Sequence, residues 1–373
     1  MFNGNALKLG LFAPNCKGGL AITTVPESWE ATWPNNLALA QMADEAGIEF
    51  ILPIARWKGY EGPSRFEEES LETLTWATGL LSQTRNISVF ATVHAPMVHP
   101  IVAAKQMVTI DHISGGRFGL NLVCGWNQDE FEMFGKEQLE HDERYVYGQE
   151  WLDVVRLIWR SEERTDFDGR YFHLSDLIGR PAPYDGEPIL VNAGFSPAGR
   201  AFAERNCDFL LTSLVDLESA RDDVLSINAS AARLGRDIGI IGTGFIVCRP
   251  TEAEAREYHH HYAVEHGDWE AAERLMTGMG LHARSFPAEH YQRFRERFTS
   301  GHGGYPVVGT PDQVADELGR IAETGMTGLA FGFVDFLAEL PYFCDEVLPR
   351  LEAKGVRSTA SNSGMTSVAK SSS

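Results

Sequence analysis

Three short stretches carry side chains able to do chemistry. In Phe118–Phe131, FGLNLVCGWNQDEF, Asn121 is an amide inside an otherwise apolar, strand-like run. An inward amide needs a partner, either core backbone or the polar edge of a ligand. His141–Tyr145, HDERY, opens a long amphipathic stretch. Asp142 is placed to cap that helix, and Arg144 and Tyr145 then fall in its first turn, where free N–H groups and the dipole favour an anion. Arg supplies paired donors and Tyr a hydroxyl, which suits phosphate. An Arg so placed also serves as a surface ion-pair partner. Ala193–Gly199, AGFSPAG, reads as strand, glycine, Ser-Pro, helix. Gly194 permits close backbone approach and Ser196 stands at a helix entry, a second phosphate cup, although Ser-Pro is a common helix start in its own right. Two such cups in one chain point to a phosphorylated cofactor.

Other stretches suggest chemistry on weaker grounds. His259, His260 and His261 with His266 look like a metal set. Consecutive residues of an α-helix point three ways, so a solvated face is expected and no metal site is assigned. Gly239–Gly244, GIIGTG, has the wrong glycine order for a dinucleotide loop and lies within a strand. Cys124 precedes Gly125, but spacing dictates no His–acid pair beside it, so no catalytic thiol is read. Phe66–Glu69, FEEE, reads as the acidic start of a helix. The sequence contains no P-loop and no G-x-S-x-G.

The elements that must position these residues alternate. Strand-like runs are Leu7–Pro14, Phe50–Ala55, Ile87–Val93, Arg117–Val123, Ile189–Asn192, Phe209–Ser213, Ile238–Val247 and Gly328–Phe333. Helical runs are Asn36–Gly47, Ser70–Ser82 with Ser70 as cap, Ile101–Ile113, Asp142–Trp159, Ala198–Arg205, Leu217–Leu234, Thr251–His266, Asp312–Thr324 and Phe336–Ala353. Eight strands, nearly all followed by helices, predict an α/β fold with a closed (β/α)8 TIM barrel. A plain barrel takes about 250 residues, and this chain has 373. The excess falls at Thr24–Pro34, Gly59–Glu69, Glu162–Glu187 and Asp268–Pro306. One barrel domain is expected over residues 1–355, with a lid at about 268–306 and a mobile Ser-rich tail at 356–373. Chemistry in such barrels sits at the C-terminal strand ends. Those ends carry Asn15, Arg56–Tyr60, His94–His99, Asn121–Glu130, Asn192–Ser196 and Ser213.

Composition narrows the partners. Lys+Arg is 32 and Asp+Glu 52, a formal charge of −20, which excludes generic nucleic-acid binding and argues against anionic membranes. It leaves room for one small anion held by a local Arg cluster. Five widely spaced cysteines without C-x-x-C argue for a reducing, cytoplasmic setting. No signal peptide is read at the N-terminus, and no run has the length and apolarity of a membrane span.

The motifs resemble a known family. ISGGRFGLNLVCGW (Ile113–Trp126), Glu130, His141–Tyr145 and Ala193–Gly199 are similar to those of the bacterial luciferase-like flavin monooxygenases, nearest the pyrimidine and dimethylsulfone monooxygenase branch. The likeness runs from about Leu7 to Leu351. It implies a barrel that binds reduced FMN supplied by a separate NAD(P)H:flavin reductase, with O2 and a small molecule as substrates, in a homodimer or homotetramer. Carried over by position, Arg144, Tyr145 and Ser196, with Gly194, would hold the FMN phosphate. Asn121, Glu130, Ala55 and Arg56 would contact flavin or substrate. Leu52, Thr92 and Asn121 match an oxygen pocket, in which Thr92 and Asn121 donate to a flavin-N5-peroxide that replaces the usual C4a-peroxide. Asn15, Trp57, His94, His99, Trp126 and Arg284 would line the substrate, His94 and His99 also being the available proton acceptors. Ala55–Lys58, Phe195 and the two histidines depart from the pyrimidine enzyme's pattern, which puts uracil itself in doubt. Arg284, Arg293, Arg295 and Arg297 give the lid a basic, aromatic character suited to a planar or anionic substrate. The implied reaction is C–N cleavage in a small N-heterocycle or amide. The alternatives are C–S cleavage of a sulfone or sulfonate, a deazaflavin-dependent hydride transfer, and a non-catalytic flavin-binding protein.

Overall fold

A computed structural model describes residues 1, 3–281 and 288–358. Its strands are β1 (Lys8–Phe12), β2 (Phe50–Leu52), β3 (Ser88–His94), β4 (Phe118–Val123), β5 (Thr165–Asp168), β6 (His173–Leu177), β7 (Ile189–Asn192), β8 (Phe209–Ser213), β9 (Gly239–Cys248), β10 (Tyr305–Gly309) and β11 (Gly328–Gly332). Strands β11, β1, β2, β3, β4, β7 and β8 follow one another around a parallel sheet. β9 pairs with both β8 and β11, so the sheet closes into an eight-stranded barrel. β10 adds a parallel partner to the outer half of the long β9, Gly244–Cys248.

Strand periodicity explains which residues fill the barrel. On β3, Val89, Ala91 and Val93 pack outward under the helices, and Phe90 packs inward. On β4, Phe118, Leu120 and Leu122 likewise face out. The inner layer is built from Phe12, Phe50, Leu52, Phe90, Ile189, Val191, Phe209, Leu211, Ile241 and Ala330. Phe50 and Phe90 meet edge to face, centroids 6.0 Å apart, and plug the interior. Glycine makes room for both rings. A Cβ at Gly10 would lie 2.2 Å from the Phe50 ring, and one at Gly119 2.3 Å from the Phe90 ring.

The end of the barrel opposite its mouth is tied by one carboxylate. Glu49, buried, accepts from Leu9 N at 2.9 Å, Asn3 Nδ2 at 3.0 Å and Arg357 Nη1 at 2.8 Å, and also from Asn5 Nδ2. Arg357 is itself buried, and Ser358 N donates to Asn5 Oδ1. The expected tail from Val356 therefore begins as packed structure; residues 359–373 lie outside the described residues.

Other boundaries differ from expectation for local reasons. β2 ends at Leu52 because Asn15 takes over the backbone of Ile54. The helix expected from Ser70 starts at Thr73, capped by Glu72, while Ser70 Oγ donates to Arg56 O at 2.7 Å. Asp142 is not the cap of the helix His141–Arg160; Glu140 holds that position without a side-chain bond. Phe66–Glu69 forms turns, not a helix. The run Thr251–His266 is an α-helix only to His260 and continues as a π-turn, His261–Glu265. Phe336–Ala353 is two helices, Phe336–Glu346 and Leu348–Ala353. The insertion Glu162–Glu187 forms the antiparallel β5–β6 hairpin. Asp268–Pro306 contains the helices Trp269–Gly278 and Ala288–Gly301, whose apolar faces pack with Ile22 and Phe66. Among the described residues no helix is long and apolar enough to cross a membrane.

Gly119→Ala is expected to overpack the Phe90 layer and cost about 1–3 kcal/mol, read as a lower denaturation midpoint. An unchanged midpoint would show that the interior has slack there.

Candidate functional site

Above the Phe50–Phe90 layer lies a polar one. Thr92 and Asn121 are opposite each other in the β3–β4 register. They share the inward face with Phe90 by the strand's two-residue period. Leu52 on β2 is fully buried in the inner cluster. A chain of hydrogen bonds fixes the amide. The Pro53 carbonyl can only accept, so Thr92 Oγ1, 2.5 Å away, must donate to it. Thr92 can then only accept from Asn121 Nδ2, at 3.1 Å. Asn121 Oδ1 is left buried with no partner. The expected pair of donors is thus arranged differently: the Thr92 proton is held by Pro53, and Asn121 offers an unpartnered Oδ1 beside the second N–H of its amide. A buried orphan acceptor suits an N–H donor on a guest.

At the rim, a buried guanidinium stands between two carboxylates. Arg56, Glu67 and Glu130 are all buried, with Arg56 Nε 2.6 Å from Glu67 Oε2 and Nη1 3.3 Å from Glu130 Oε1. Glu130 Oε1 also accepts from Trp57 N at 2.8 Å. Glu130 comes from the short helix Gln128–Met133, capped by Asn127. Glu67 sits in a left-handed conformation, φ 56°, in the loop after β2. The guanidinium lies 5.3 Å from the ring centroids of both Tyr60 and Trp126. Burial works against the Arg56 charge, but Glu67, Tyr60 and Glu130 more than offset it and raise its pKa. His94 Nδ1 lies 3.6 Å from Glu130 Oε2. Burial pulls this imidazole down to about 4, against the pull of Glu130, so it is neutral at pH 7. Glu67 Oε1, Glu130 Oε2, Tyr60 Oη and His302 Nε2 are buried without hydrogen-bond partners.

The two phosphate cups meet. Ser196 caps the helix Pro197–Asn206 by accepting from Gly199 N at 3.1 Å. Tyr145, on the helix His141–Arg160, lies close enough for Ser196 to counter part of the rise that burial gives its hydroxyl pKa. A Cβ at Gly194 would lie 2.5 Å from Gly199 Cα, and one at Gly199 2.6 Å from Tyr145 Oη. These glycines create a cradle that any side chain would fill. Arg144 leans over the same end of β4, donating from Nε to Leu139 O at 2.8 Å and from Nη1 to Gly125 O at 3.2 Å. Glycine backbone, two hydroxyls, a helix N-terminus and an Arg fit the phosphate of a flavin mononucleotide.

Several expected residues take structural roles. Asn15 Nδ2 donates to Ile54 O at 2.8 Å and Leu71 O at 3.1 Å, and its Oδ1 accepts from Ile54 N, so it braces two loops. His99 is exposed and caps the helix Pro100–Ser114 by accepting from Ile101 N, its ring edge-on to Phe172. Trp57 is 41 % exposed and packs on Phe134. Trp126, Tyr60 and the helix Trp269–Gly278 join one cluster, which carries the insertion over the rim. Ala55 is buried beside Arg56. Arg295 lies over Trp269, Arg297 donates to Leu214, Val215 and Gly304 carbonyls, and Arg293 is exposed. Arg284 lies outside the described residues. Cys124 is buried, which pushes its thiol up to about 12 and keeps it protonated. Glu67, Pro53 and His302 are absent from the expected set, and Tyr60 figures there only as the end of the strand-end stretch Arg56–Tyr60. Nothing in FEEE separates Glu67 from its neighbours; the usable signal was Arg56, which needs an acid if buried.

The chain is similar to known proteins along most of its length. The family model described as luciferase-like monooxygenase matches residues 7–328. The FMNH2-dependent dimethylsulfone monooxygenase of Pseudomonas fluorescens is 30% identical over 357 residues, 94% of this chain and 96% of that protein. The pyrimidine monooxygenase RutA of Bradyrhizobium sp. is also 30% identical, over 375 residues, 94% of this chain and 99% of the relative. Among solved structures, riboflavin lyase with modified FMN and riboflavin superimposes with a TM-score of 0.83 at 23% identity, covering 94% of this chain and 92% of its own.

Replacing Arg56 by Met is expected to destabilise the fold by about 3–5 kcal/mol, because it leaves two carboxylates buried and uncompensated; chemical denaturation reads this directly. His94 adds a pH term. With a folded value of about 4 against the ordinary 6.5, the unfolded chain binds a proton that the folded chain refuses. Stability contributed by neutral His94 is therefore present above pH 6.5 and falls as pH drops towards 4. His94→Gln should flatten the stability-versus-pH curve in that window, and an unaltered slope would reject the assignment.

Proposed function

Since the chain belongs to the luciferase-like monooxygenase family, we propose that it uses FMNH2 and O2 to cleave a C–N bond in a small N-heterocycle or amide. The observation that carries this reading is the orphaned Oδ1 of Asn121, held in the barrel mouth by Thr92 and Pro53. Reduced flavin and an amide substrate both carry the N–H donor this acceptor wants. Arg144, Tyr145, Ser196 and Gly194 hold the phosphate of FMN in this reading. Leu52, Thr92 and Asn121 form the oxygen-binding wall, and Ala55, Arg56 and Glu130 brace the flavin or substrate edge. Bound FMNH2 supplies the electrons that activate O2.

The protein's own residues then do three things. Leu52 and the two phenylalanines beneath it keep water from the reacting centre, which protects a reactive oxidant from wasteful breakdown. Asn121 orients the guest through a single acceptor whose direction is set by the Thr92–Pro53 chain. His94, neutral beside Glu130, presents an uncharged imidazole to the guest on the same inward face as Thr92. A separate NAD(P)H:flavin reductase supplies the reduced cofactor. A second reading, C–S cleavage of a sulfone, is supported by the equal identity to the dimethylsulfone relative.

The test loads the protein with FMNH2 under anaerobic conditions and mixes it with labelled O2 and a panel of pyrimidines, amides and dimethylsulfone. Label in a ring-opened or deaminated product is expected. Label only in the sulfone product would replace the reading with the second one, and no label with any substrate would sink both. Asn121→Ala should abolish product while FMN still binds. Arg144→Ala should weaken FMN binding by about 1.5–3 kcal/mol, the worth of a charged hydrogen bond; unchanged affinity would remove Arg144 from the phosphate site.

A further inference from the structure

The junction between the helix Glu252–His260 and the insertion over the rim has a geometry that sequence reasoning missed. Residues His261–Glu265 form a π-turn, closed by His266 N–H donating to His261 O at 3.0 Å. In an α-helix, residues five apart diverge around the axis. The wider i→i+5 turn brings them together. His261 and His266 accordingly have ring centroids 4.4 Å apart. Glu265 Oε2 lies 3.1 Å from His261 Nδ1. One nitrogen from each imidazole and one Glu265 oxygen all lie within 4.8 Å of each other. The three consecutive histidines do point different ways, His259 onto Phe245 and Ser300 and His260 to solvent, but the π-turn adds an approach of His261 to His266 that a regular α-helix would not give.

The turn is also firmly seated. His266 O accepts from Thr24 N at 2.8 Å, and Tyr262 O accepts from Thr23 Oγ1 at 2.7 Å. Tyr262 Oη donates to Ser300 O at 3.0 Å, and the His259 ring contacts Ser300 Oγ at 2.8 Å. Gly267 closes it: a Cβ there would lie 2.2 Å from Ala263 O. The ligand side chains remain reachable, with His261 42% and Glu265 55% exposed.

We propose that His261, Glu265 and His266 form a binding site for a borderline divalent cation, zinc above all, at the foot of the insertion. Two imidazoles and one carboxylate are a nitrogen–oxygen set that zinc accepts, with solvent completing the tetrahedron. Calcium and magnesium prefer all-oxygen shells, so they are the wrong ions for it. Rotation of exposed side chains is enough to close the set around an ion. His260 Nε2, 3.8 Å from Glu265 Oε1, competes for the same carboxylate without entering the triad. The bound ion would lock both ends of the π-turn together. Two residues further on, Asp268 accepts from Ser64 N at 2.9 Å and caps the helix Trp269–Gly278 through Ala271 N. The ion therefore stiffens the attachment of the insertion to the rim.

The test titrates zinc into the metal-stripped full-length protein by calorimetry. One saturable site is expected, weakened about tenfold or more in His266→Ala and in the double variant His261→Ala/His266→Ala, since even outer contacts of metal ligands cost that much. Zinc should also slow amide exchange across Asp268–Gly278 in the wild type and leave the double variant unchanged. Absence of saturable binding, or equal binding in the double variant, overturns the proposal. Circular dichroism keeps the variants comparable, as the replaced side chains lie at the surface.

Discussion

A guanidinium removed from water must be fully paired, and the rim of this barrel is organised around that requirement. Arg56 leaves the end of β2 and turns inward. Its desolvation is offset because Glu67 folds back from further along the same loop and Glu130 arrives from the helix after β4. Glu67 adopts a left-handed backbone to do so. Glu130 holds Arg56 on one side and the backbone of Trp57 on the other. The loop after β2 and the helix after β4 are therefore positioned together. Two carboxylates around one cation leave the cluster one negative charge in excess. That excess sits beside His94 and the unpartnered oxygens of Glu67 and Glu130.

Beneath the rim the barrel changes character layer by layer. Phe50 and Phe90 close the interior, and glycines on adjoining strands yield the space they need. One step nearer the mouth the side chains become an apolar residue, a hydroxyl and an amide. The direction of the amide follows from a proline carbonyl outside the layer, which shows how a backbone atom sets the polarity of a site. A dry floor below and a single oriented acceptor above suit a reaction that must meet oxygen away from water.

Much of this was legible in the sequence. Strand positions emerged as short, nearly continuous apolar runs, because barrel strands bury both faces, whereas helices bury one and read as amphipathic. The stretches around Tyr145, Gly194 and Ser196 stood out because glycine and Ser-Pro constrain backbone locally, and the fold brings them together. Contacts between distant segments were not. Glu67 has the same local pattern as Glu68 and Glu69, and only the fold determines which of them is buried. Asn15 and His99 lie where a substrate contact is expected, yet their side chains are spent on backbone. The helices within Asp268–Pro306 were missed since their apolar faces are interspersed with arginines. The π-turn at His261 was invisible because its cause is tertiary: the anchoring of Thr23, Thr24 and Ser300.

The partner of Glu49 also sets the order in which the barrel can close. Arg357 follows it by 308 residues, and β1 obtains its second neighbour only when β11 is in place. A chain emerging from a ribosome must therefore carry β1 as an exposed sheet edge until β11 has been made. Parallel edges of this kind invite pairing with other chains. Closure waits for β11 and Arg357, so a polypeptide terminated before them would be an open, adhesive barrel and a natural client for chaperones.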